Sequence, residues 1–300
     1  MVVRIDSVWK RFGKVAGLRG LSFVVPEGSA CALIGANGAG KTTTIKVLMN
    51  LLEPTAGTAT VLGVDSRRLS PREFARIGFV SEHQAMPRRM TVSAYLAYLR
   101  PFYPTWDRTL ESEIVGEFRL PPDRRIGELS HGMRMKMAFA CALPFRPTLM
   151  VLDEPLTGLD PLVRDEVGAR LRLQAGEMTI LVSSHELTEI ESLTTHVVFL
   201  DRGRELFQEA LGDLTARFRL VRVTMPGRVP VPMQLPQEWI DRRADGQVLT
   251  FLDTRFSAPD LAAKVAAVVG TVERIDTEAV ALRTIYTSLA RAIRDGQAST

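Results

Sequence analysis

The distribution of hydrophobic residues predicts strands of two kinds. Val2–Trp9 and Leu18–Val25 alternate apolar and polar residues, which is typical of antiparallel edge strands. Continuous apolar runs, which are typical of strands buried on both faces, occur at Ser29–Ile34, Leu149–Asp153 and Thr179–Ser183. Further strands are predicted at Gly57–Leu62, Arg76–Val80 and His196–Leu200.

Helical spacing of apolar residues occurs between these strands. The predicted helices are Thr43–Leu52, Thr91–Arg100, Arg108–Phe118, Met133–Leu143 and Glu186–Leu193. Pro101 and Pro104 break the second of them. Strands that alternate with helices predict an α/β fold, and Glu205–Arg217 is expected to close this core.

A smaller second domain is predicted at 218–300, behind a core at 1–217. Prolines disfavour a continuous helix or a central strand, so 225–236 is expected to be a loop or an edge; its four prolines are Pro226, Pro230, Pro232 and Pro236. The remaining elements are predicted as strands, Phe218–Thr224, Gln247–Leu252 and Val272–Asp276, and helices, Ala258–Val269 and Thr284–Arg294. Two interpretations of this α+β appendage are open: it stabilises or regulates a dimer, or it is a packing extension with no separate role. Residues 296–300 are expected to be disordered.

Composition and charge narrow the class of protein. The 300 residues are 46% hydrophobic, and the net charge is only +4 despite a pI near 9.3. The arginines are scattered, so a nucleic acid partner is not expected. No apolar run approaches the roughly 18–20 residues of a membrane span, and early charges exclude a signal peptide. The chain is therefore expected to be cytoplasmic. Cys31 and Cys141 agree with a reducing compartment, since they lack metal-ligand spacing and are expected to be buried thiols.

The segment 35–43 fits the spacing G-x-x-x-x-G-K-[ST] between a predicted strand and a predicted helix. Glycines allow successive backbone N–H groups to face an anion, and the helix start adds a positive partial charge. Lys41 can reach the terminal phosphates of a nucleotide, and the Thr42 hydroxyl can bind Mg²⁺. The residues predicted to contact the nucleotide here are Gly35, Asn37, Gly38, Ala39, Gly40, Lys41, Thr42 and Thr43.

Two carboxylates follow the apolar strand Leu149–Asp153. Asp153 at its end can hold Mg²⁺ through water, and Glu154 can polarise a water molecule that attacks the terminal phosphate. Alone, the pair could be an ordinary strand end. Together with the phosphate loop, it indicates nucleotide hydrolysis.

Several further motifs follow in a fixed order, and with them the chain resembles the ATPase subunit of an ABC transporter over roughly residues 1–215. Leu129–Met133, with the sequence LSHGM, lies where the family carries its LSGGQ signature. Leu159-Asp160 resembles the D-loop, and His185 resembles the switch histidine. Phe12 lies where the family stacks an aromatic ring on adenine, although it could equally be a core aromatic.

The resemblance implies a P-loop NTPase fold with an antiparallel β-subdomain and a helical subdomain at about 84–143. It implies that two chains enclose two ATP molecules, because the signature of one subunit, with Ser130, Gly132 and Met133 at a helix start, binds the γ-phosphate held by the other. Glu154, His185 and Lys41 would be catalytic. Mg²⁺ would be bound by Thr42, Asp153 and Glu82, and Asp160 would contribute to nucleotide binding.

Three residues depart from the common family pattern. Glu82 stands where a Q-loop glutamine is expected, with Gln84 as the competing assignment. His131 replaces the first signature glycine, and Met133 replaces the signature glutamine. Glu82 and the Ser-x-Gly-Met form resemble ATPases of ABC-2-type exporters. A thioether cannot donate the hydrogen bonds of an amide, so turnover could differ from that of the common form.

The expected function is ATP hydrolysis that powers transport by a separate membrane permease, on the inner face of the cytoplasmic membrane. An ABC-2-type exporter is favoured; an importer and a soluble ABC ATPase that acts on ribosomes or DNA are the alternatives. The expected partners are ATP, a second ATPase subunit (the same chain or a sister chain) and the permease. Candidates for the permease-binding groove are the segment 86–92 and four aromatic residues, Tyr95, Tyr98, Phe102 and Tyr103.

Overall fold

A computed structural model of the protein describes residues 1–174, 176–185, 191–227 and 235–294. The chain divides into two compact units, Met1–Gln208 and Glu209–Thr300. The predicted helix Glu186–Leu193 falls largely outside the described residues, as do Pro230, Pro232 and the predicted disorder of 296–300. Among the helices of the described residues, none is long and apolar enough to cross a membrane.

An antiparallel sheet in the first unit has the strand order β2-β1-β4-β5. Its strands are β1 Val3–Phe12, β2 Val15–Val25, β4 Ala56–Val61 and β5 Val64–Asp65. The alternation seen in the sequence buries one face of β1 and β2. β1 pairs on both sides, with β2 and β4, so the expectation that Val2–Trp9 is an edge strand is wrong, whereas β2 is an edge strand.

The central sheet of the first unit has the order β10-β9-β3-β8-β7-β6. Its strands are β3 Ala30–Ile34, β6 Ile77–Ser81, β7 Leu149–Asp153, β8 Thr179–Ser184, β9 His196–Asp201 and β10 Arg204–Ala210. The strands from β9 to β6 pair in parallel, and β3, β7 and β8 are buried along their whole length. Their carboxyl ends share one edge, which is where ligands bind in open α/β sheets.

Six helices are described in the first unit: α1 Lys41–Leu48, α2 Pro71–Phe74, α3 Val92–Leu99, α4 Arg108–Glu117, α5 His131–Ala142 and α6 Pro161–Gln174. α5 begins two residues before the predicted start, because Ser130 caps it by accepting a hydrogen bond from the Met133 N–H (3.2 Å). α2 and α6 were not predicted. α6 buries few apolar residues, among them Val167 and Leu171, so its hydrophobic periodicity is weak.

The second unit contains an antiparallel sheet of order β12-β13-β11-β14. Its elements are α7 Leu211–Arg217, β11 Arg219–Thr224, β12 Trp239–Asp245, β13 Val248–Asp253, α8 Ala258–Val269, β14 Arg274–Ala279 and α9 Leu282–Arg294. The Trp239 and Phe251 rings stack at 4.0 Å in its core. β12 was not predicted, since its charged second half hides the pattern. β14 starts two residues after the predicted strand and extends further.

Candidate active site

The loop between β3 and α1 is shaped by glycines at positions where no other residue fits. A Cβ atom on Gly35 would lie 2.6 Å from the carbonyl oxygen of Leu200. Gly40 has a φ of 111°, and a Cβ there would lie 2.9 Å from Cδ2 of Leu18. α1 begins directly at Lys41, with Gly40 at its cap position. The N–H groups of the first turn therefore face this loop, as in anion sites at helix starts.

A cavity of about 280 Å³, here called the phosphate-loop cavity, lies beside this loop. It brings together most of the predicted phosphate loop with three predicted residues from later in the chain. Its lining residues are Gly17, Asn37, Gly38, Gly40, Lys41, Thr42, Thr43, Glu82, Glu154, Thr157 and His185. Gly35 and Ala39 lie behind the lining: the Gly35 carbonyl accepts a bond from Lys41, and the buried Ala39 accepts one from the Gly203 N–H (2.8 Å).

Lys41 and Glu154 form an ion pair within this cavity. The Lys41 ammonium lies 3.1 Å from Oε1 of Glu154 and donates to the carbonyl oxygen of Gly35 at 2.6 Å. Both side chains are largely buried, with 5% and 14% exposed. An opposite charge at this distance in a partly buried place favours the ionised carboxylate.

Three groups hold the Glu154 carboxylate. Besides Lys41, the Nδ1 atom of His185 lies 2.7 Å from Oε2, and the Thr157 hydroxyl donates to the same oxygen at 3.1 Å. Burial alone would raise the pKa of Glu154, but the hydrogen bond from His185 and the charge of Lys41 outweigh it and lower the pKa. Glu154 also has a φ of 51°, a left-handed conformation that costs a glutamate on the order of 1 kcal/mol.

Asp153 is bound from two sides. The Thr42 hydroxyl donates to its Oδ1 at 3.2 Å, and the Ser183 hydroxyl donates to the same atom at 2.7 Å. The parallel register of β7 and β8 places Asp153 opposite Ser183. The Ser183 oxygen also accepts a bond from the Glu154 N–H at 3.0 Å, so one buried serine orients both carboxylates.

The structure places Glu82, rather than Gln84, in the wall of the phosphate-loop cavity. Its N–H donates to the Asp153 carbonyl oxygen at 3.1 Å, because β6 lies beside β7 in the sheet. Gln84 lines two other cavities, and its buried Oε1 has no hydrogen-bond partner among the described residues. The first of these, about 510 Å³ in volume, shares Glu82 with the phosphate-loop cavity and reaches His131 at the start of α5.

Phe12 lies at the end of β1 with 48% of its surface exposed. A Cβ on Gly17 would lie 3.0 Å from its ring, and Gly17 lines the phosphate-loop cavity. The Lys10 ammonium lies 5.4 Å from the ring centre. An exposed ring beside the cavity excludes the core-aromatic alternative for this residue.

Ser130, Gly132 and Asp160 lie outside the lining of the phosphate-loop cavity. Ser130 is exposed and caps α5, so the Met133 N–H, which was expected to face a phosphate, already has a partner in its own chain. A Cβ on Gly132 would lie 3.2 Å from Val163, which makes this glycine a packing position against α6. The exposed Asp160 accepts a hydrogen bond from the Val163 N–H at 3.1 Å.

An aromatic groove of about 360 Å³ is lined partly by Tyr95 and Tyr103, two of the four predicted aromatic residues. The other two, Tyr98 and Phe102, are exposed and contact each other at 5.4 Å between ring centres. Met86 lines the 510 Å³ cavity instead. The full lining of the aromatic groove is Met49, Leu51, Phe74, Ile77, Phe79, Gln84, Tyr95, Leu99, Tyr103, Cys141, Ala142 and Phe145.

Three residues of the site were not found from the sequence: Gly17, Thr157 and Ser183. Ser183 had a detectable signal, because it is a polar residue near the end of a buried apolar strand, on the edge where the carboxylates lie. Thr157 lies in the turn after Glu154, and Gly17 lies in β2; neither position carries a pattern that points to a cavity.

The chain is similar to known proteins over much of its length. The family model described as ABC transporter matches residues 18–157. The daunorubicin resistance ATP-binding protein DrrA2 of Streptomyces coeruleorubidus is 33% identical over 255 residues, which cover 82% of this chain and 78% of that protein. The Nod factor export ATP-binding protein I of Burkholderia lata is 36% identical over 212 residues, 68% of this chain and 69% of that protein.

A solved structure, "Structure of ATP binding subunit of ABC transporter", is 28% identical with a TM-score of 0.66, and the match covers 72% of this chain and 92% of that one. The resemblance seen in the motifs and the expected α/β P-loop fold, with its antiparallel sheet, are thereby confirmed. The chain belongs to the family of ATP-hydrolysing, ATP-binding subunits of ABC transporters.

Proposed function

We propose that this ATPase powers export through a separate membrane permease and that hydrolysis is carried out at the phosphate-loop cavity. The observation that carries the proposal is the convergence of the phosphate loop, the Lys41–Glu154 pair and His185 on one cavity. The name of one relative, the Nod factor export ATP-binding protein I, supports export as the direction of transport.

In this proposal, the phosphates of ATP bind to the N–H groups at the start of α1, and Lys41 neutralises their charge. The low pKa of Glu154 keeps its carboxylate ionised, so it can accept a hydrogen bond from the attacking water and orient it. His185, whose Nδ1 lies 2.7 Å from Oε2 of Glu154, fixes the carboxylate and lines the same cavity, where it would contact the γ-phosphate or the water. Phe12 stacks against the adenine.

The donor set beside the loop fits Mg²⁺. Thr42, Asp153 and Glu82 offer one hydroxyl and two carboxylates, which are hard oxygen ligands, and Mg²⁺ is usually held by one or two carboxylates together with substrate phosphates. No group of three or more His, Cys, Asp or Glu residues with metal-binding geometry occurs among the described residues, which is compatible with such a sparse site. The bound ion would neutralise charge on the phosphates.

A second ATPase subunit is proposed to complete the site. Ser130, Gly132 and Asp160 carry family motifs but lie outside the cavity of their own chain. In the proposed arrangement they face the nucleotide of the partner, which is either another copy of this chain or a sister ATPase. The second unit of the chain remains a candidate for stabilising or regulating that dimer.

The aromatic groove is proposed as the docking place for a short helix of the permease, which would bring the chain to the inner face of the cytoplasmic membrane. Its lining is mostly apolar, with Tyr103 stacked on Phe145 at 4.0 Å between ring centres. Tyr98 and Phe102 lie exposed nearby in the sequence and would extend the contact surface. Closure and reopening of the ATPase dimer would move this groove and so drive the permease.

The experiment compares ATP affinity and hydrolysis for Lys41→Ala and the matched control Lys46→Ala. Both lysines are in α1, but Lys46 is exposed and is not part of the cavity lining. We expect Lys41→Ala to weaken ATP binding at least tenfold, because its buried ammonium lines the cavity proposed to hold the phosphates. Lys46→Ala should behave like the unmodified chain. Equal ATP affinity of the two variants would refute the proposed phosphate site.

A further inference from the structure

His131 connects the start of α5 to the turn that follows Glu154. Its Nε2 atom lies 3.4 Å from the carbonyl oxygen of Thr157. A carbonyl oxygen can only accept a hydrogen bond, so Nε2 carries the proton in this contact. The imidazole lies over Gly158: a Cβ there would be 3.7 Å from Nε2, which is ordinary van der Waals contact.

Thr157 continues this connection to the catalytic carboxylate. Its hydroxyl donates to Oε2 of Glu154 at 3.1 Å, the same oxygen that lies 2.7 Å from Nδ1 of His185. Thr157 therefore contacts His131 through its backbone carbonyl and Glu154 through its side-chain hydroxyl. A hydrogen-bonded chain therefore runs from the first residue of α5 to the carboxylate proposed to orient water.

We propose that His131 is a positioning residue, which orients Glu154 for hydrolysis through Thr157 and makes that orientation depend on the position of α5. The inference rests on the proposed role of Glu154 in hydrolysis. It assigns a use to the histidine that replaces the first glycine of the signature: a glycine has no side chain, so it could not reach the Thr157 carbonyl.

The contacts around Glu154 explain why one remote hydrogen bond can matter. Lys41 contacts Oε1, whereas His185 and Thr157 share Oε2, so the rotation of the carboxylate depends on where the Thr157 hydroxyl points. His131 holds the backbone from which that hydroxyl projects. A neutral hydrogen bond contributes enough to change the catalytic rate by roughly three- to tenfold when it is lost.

The experiment measures steady-state ATP hydrolysis by four variants of the full chain: His131→Ala, His131→Gln, Thr157→Val and the double variant His131→Ala/Thr157→Val. Alanine removes the imidazole, glutamine restores an N–H donor, and valine removes the Thr157 hydroxyl but keeps its shape. Circular dichroism and melting temperature verify that each variant is folded, and Glu154→Gln is measured beside them.

We expect His131→Ala and Thr157→Val each to lower kcat about three- to tenfold with KM for ATP changed less than twofold. His131→Gln should recover most of the lost kcat. The double variant should be no slower than the slower single variant, because both changes interrupt the same chain of contacts.

Unchanged kcat in His131→Ala would overturn the inference. A rise in KM alone would overturn it as well, since that result would make His131 a nucleotide contact. Losses that multiply in the double variant, or a His131→Gln variant as slow as His131→Ala, would also contradict it. If Glu154→Gln hydrolyses ATP normally, the proposed function fails; if Glu154→Gln is inactive while His131→Ala is normal, only this inference fails.

Discussion

Replacement of Ser183 by alanine tests how the two carboxylates are held. The fully buried Ser183 hydroxyl donates to Asp153 and accepts from the Glu154 N–H. Alanine would leave a charged acceptor without one donor, which costs about 1.5–3 kcal/mol, and a partly buried N–H without its acceptor, which costs about 1–3 kcal/mol. We expect the unfolding free energy to fall by about 3 kcal/mol, near the lower end of the summed costs, because Thr42 still donates to Asp153.

The same substitution should slow hydrolysis. The Glu154 N–H bond helps to hold a left-handed backbone conformation, with a φ of 51°, that a glutamate adopts only under constraint. If about 1.4 kcal/mol of the loss falls on the orientation of the carboxylate, kcat drops about tenfold. Hydrogen exchange of peptides that cover β7 and β8 measures the local stability, and a steady-state assay measures kcat.

Thr179→Val is the matched control, at the other end of the same strand. The buried Thr179 hydroxyl accepts one bond from the neutral Gly28 N–H at 2.9 Å, far from the carboxylates along β8. Valine should cost about 1 kcal/mol in stability and leave kcat unchanged. A Ser183→Ala variant with stability and kcat equal to those of the Thr179→Val control would refute the reasoning about the carboxylates.

Three other predictions follow from the loop, the ion pair and the buried thiol. Gly40→Ala should lose ATP binding and at least 1 kcal/mol of stability, because a Cβ would lie 2.9 Å from Leu18 at a φ of 111°. Gly38→Ala, with open space around it, should lose less. Calorimetry measures ATP binding and thermal melting measures stability; equal effects of the two substitutions would contradict the steric argument. The folded-state pKa of Glu154 is lowered, so its stabilising contribution is present above the ordinary carboxyl pKa and is lost as the pH falls through the folded value. Glu154→Gln should remove that part of the acid dependence of the unfolding free energy. Identical curves of unfolding free energy against pH for this variant and the unmodified chain would be inconsistent with the shift. Burial raises the pKa of Cys31 to about 12, so iodoacetamide should not modify it in the folded protein at pH 8, as peptide mass spectrometry can establish; rapid labelling would show that the thiol is accessible.

The elements that the sequence predicted well are those whose pattern depends on local burial. Leu149–Asp153 and Ala258–Val269 have the predicted bounds, since the first is buried throughout and the second keeps one apolar face. α6 and β12 were missed because charged residues on their exposed faces interrupt the periodicity. Sequence periodicity records which faces are buried and gives no information on which strands become neighbours.

In the candidate site, too, features that depend on local sequence were predictable, and contacts that depend on tertiary structure were not. The predicted phosphate loop is one continuous segment whose glycine spacing follows from local steric requirements, so the sequence was sufficient to predict a loop between β3 and α1 there. Ser183 and Thr157 reach Glu154 only because β7 and β8 are paired in a particular register and the following turn folds back. The contact between His131 and Thr157 likewise depends on tertiary structure, and no spacing in the sequence indicates it.

The most direct test of the account is ATP hydrolysis by Glu154→Gln beside the unmodified chain, with Mg²⁺, together with the amount of bound ATP and the mass of the complex in solution. Glutamine keeps the shape of the side chain and can still accept a bond from Lys41, but it cannot act as an ionised base toward water. The account predicts that the variant retains ATP, loses hydrolysis and accumulates as an ATP-bound dimer. Hydrolysis by Glu154→Gln at the rate of the unmodified chain would contradict the central claim that this carboxylate orients the attacking water.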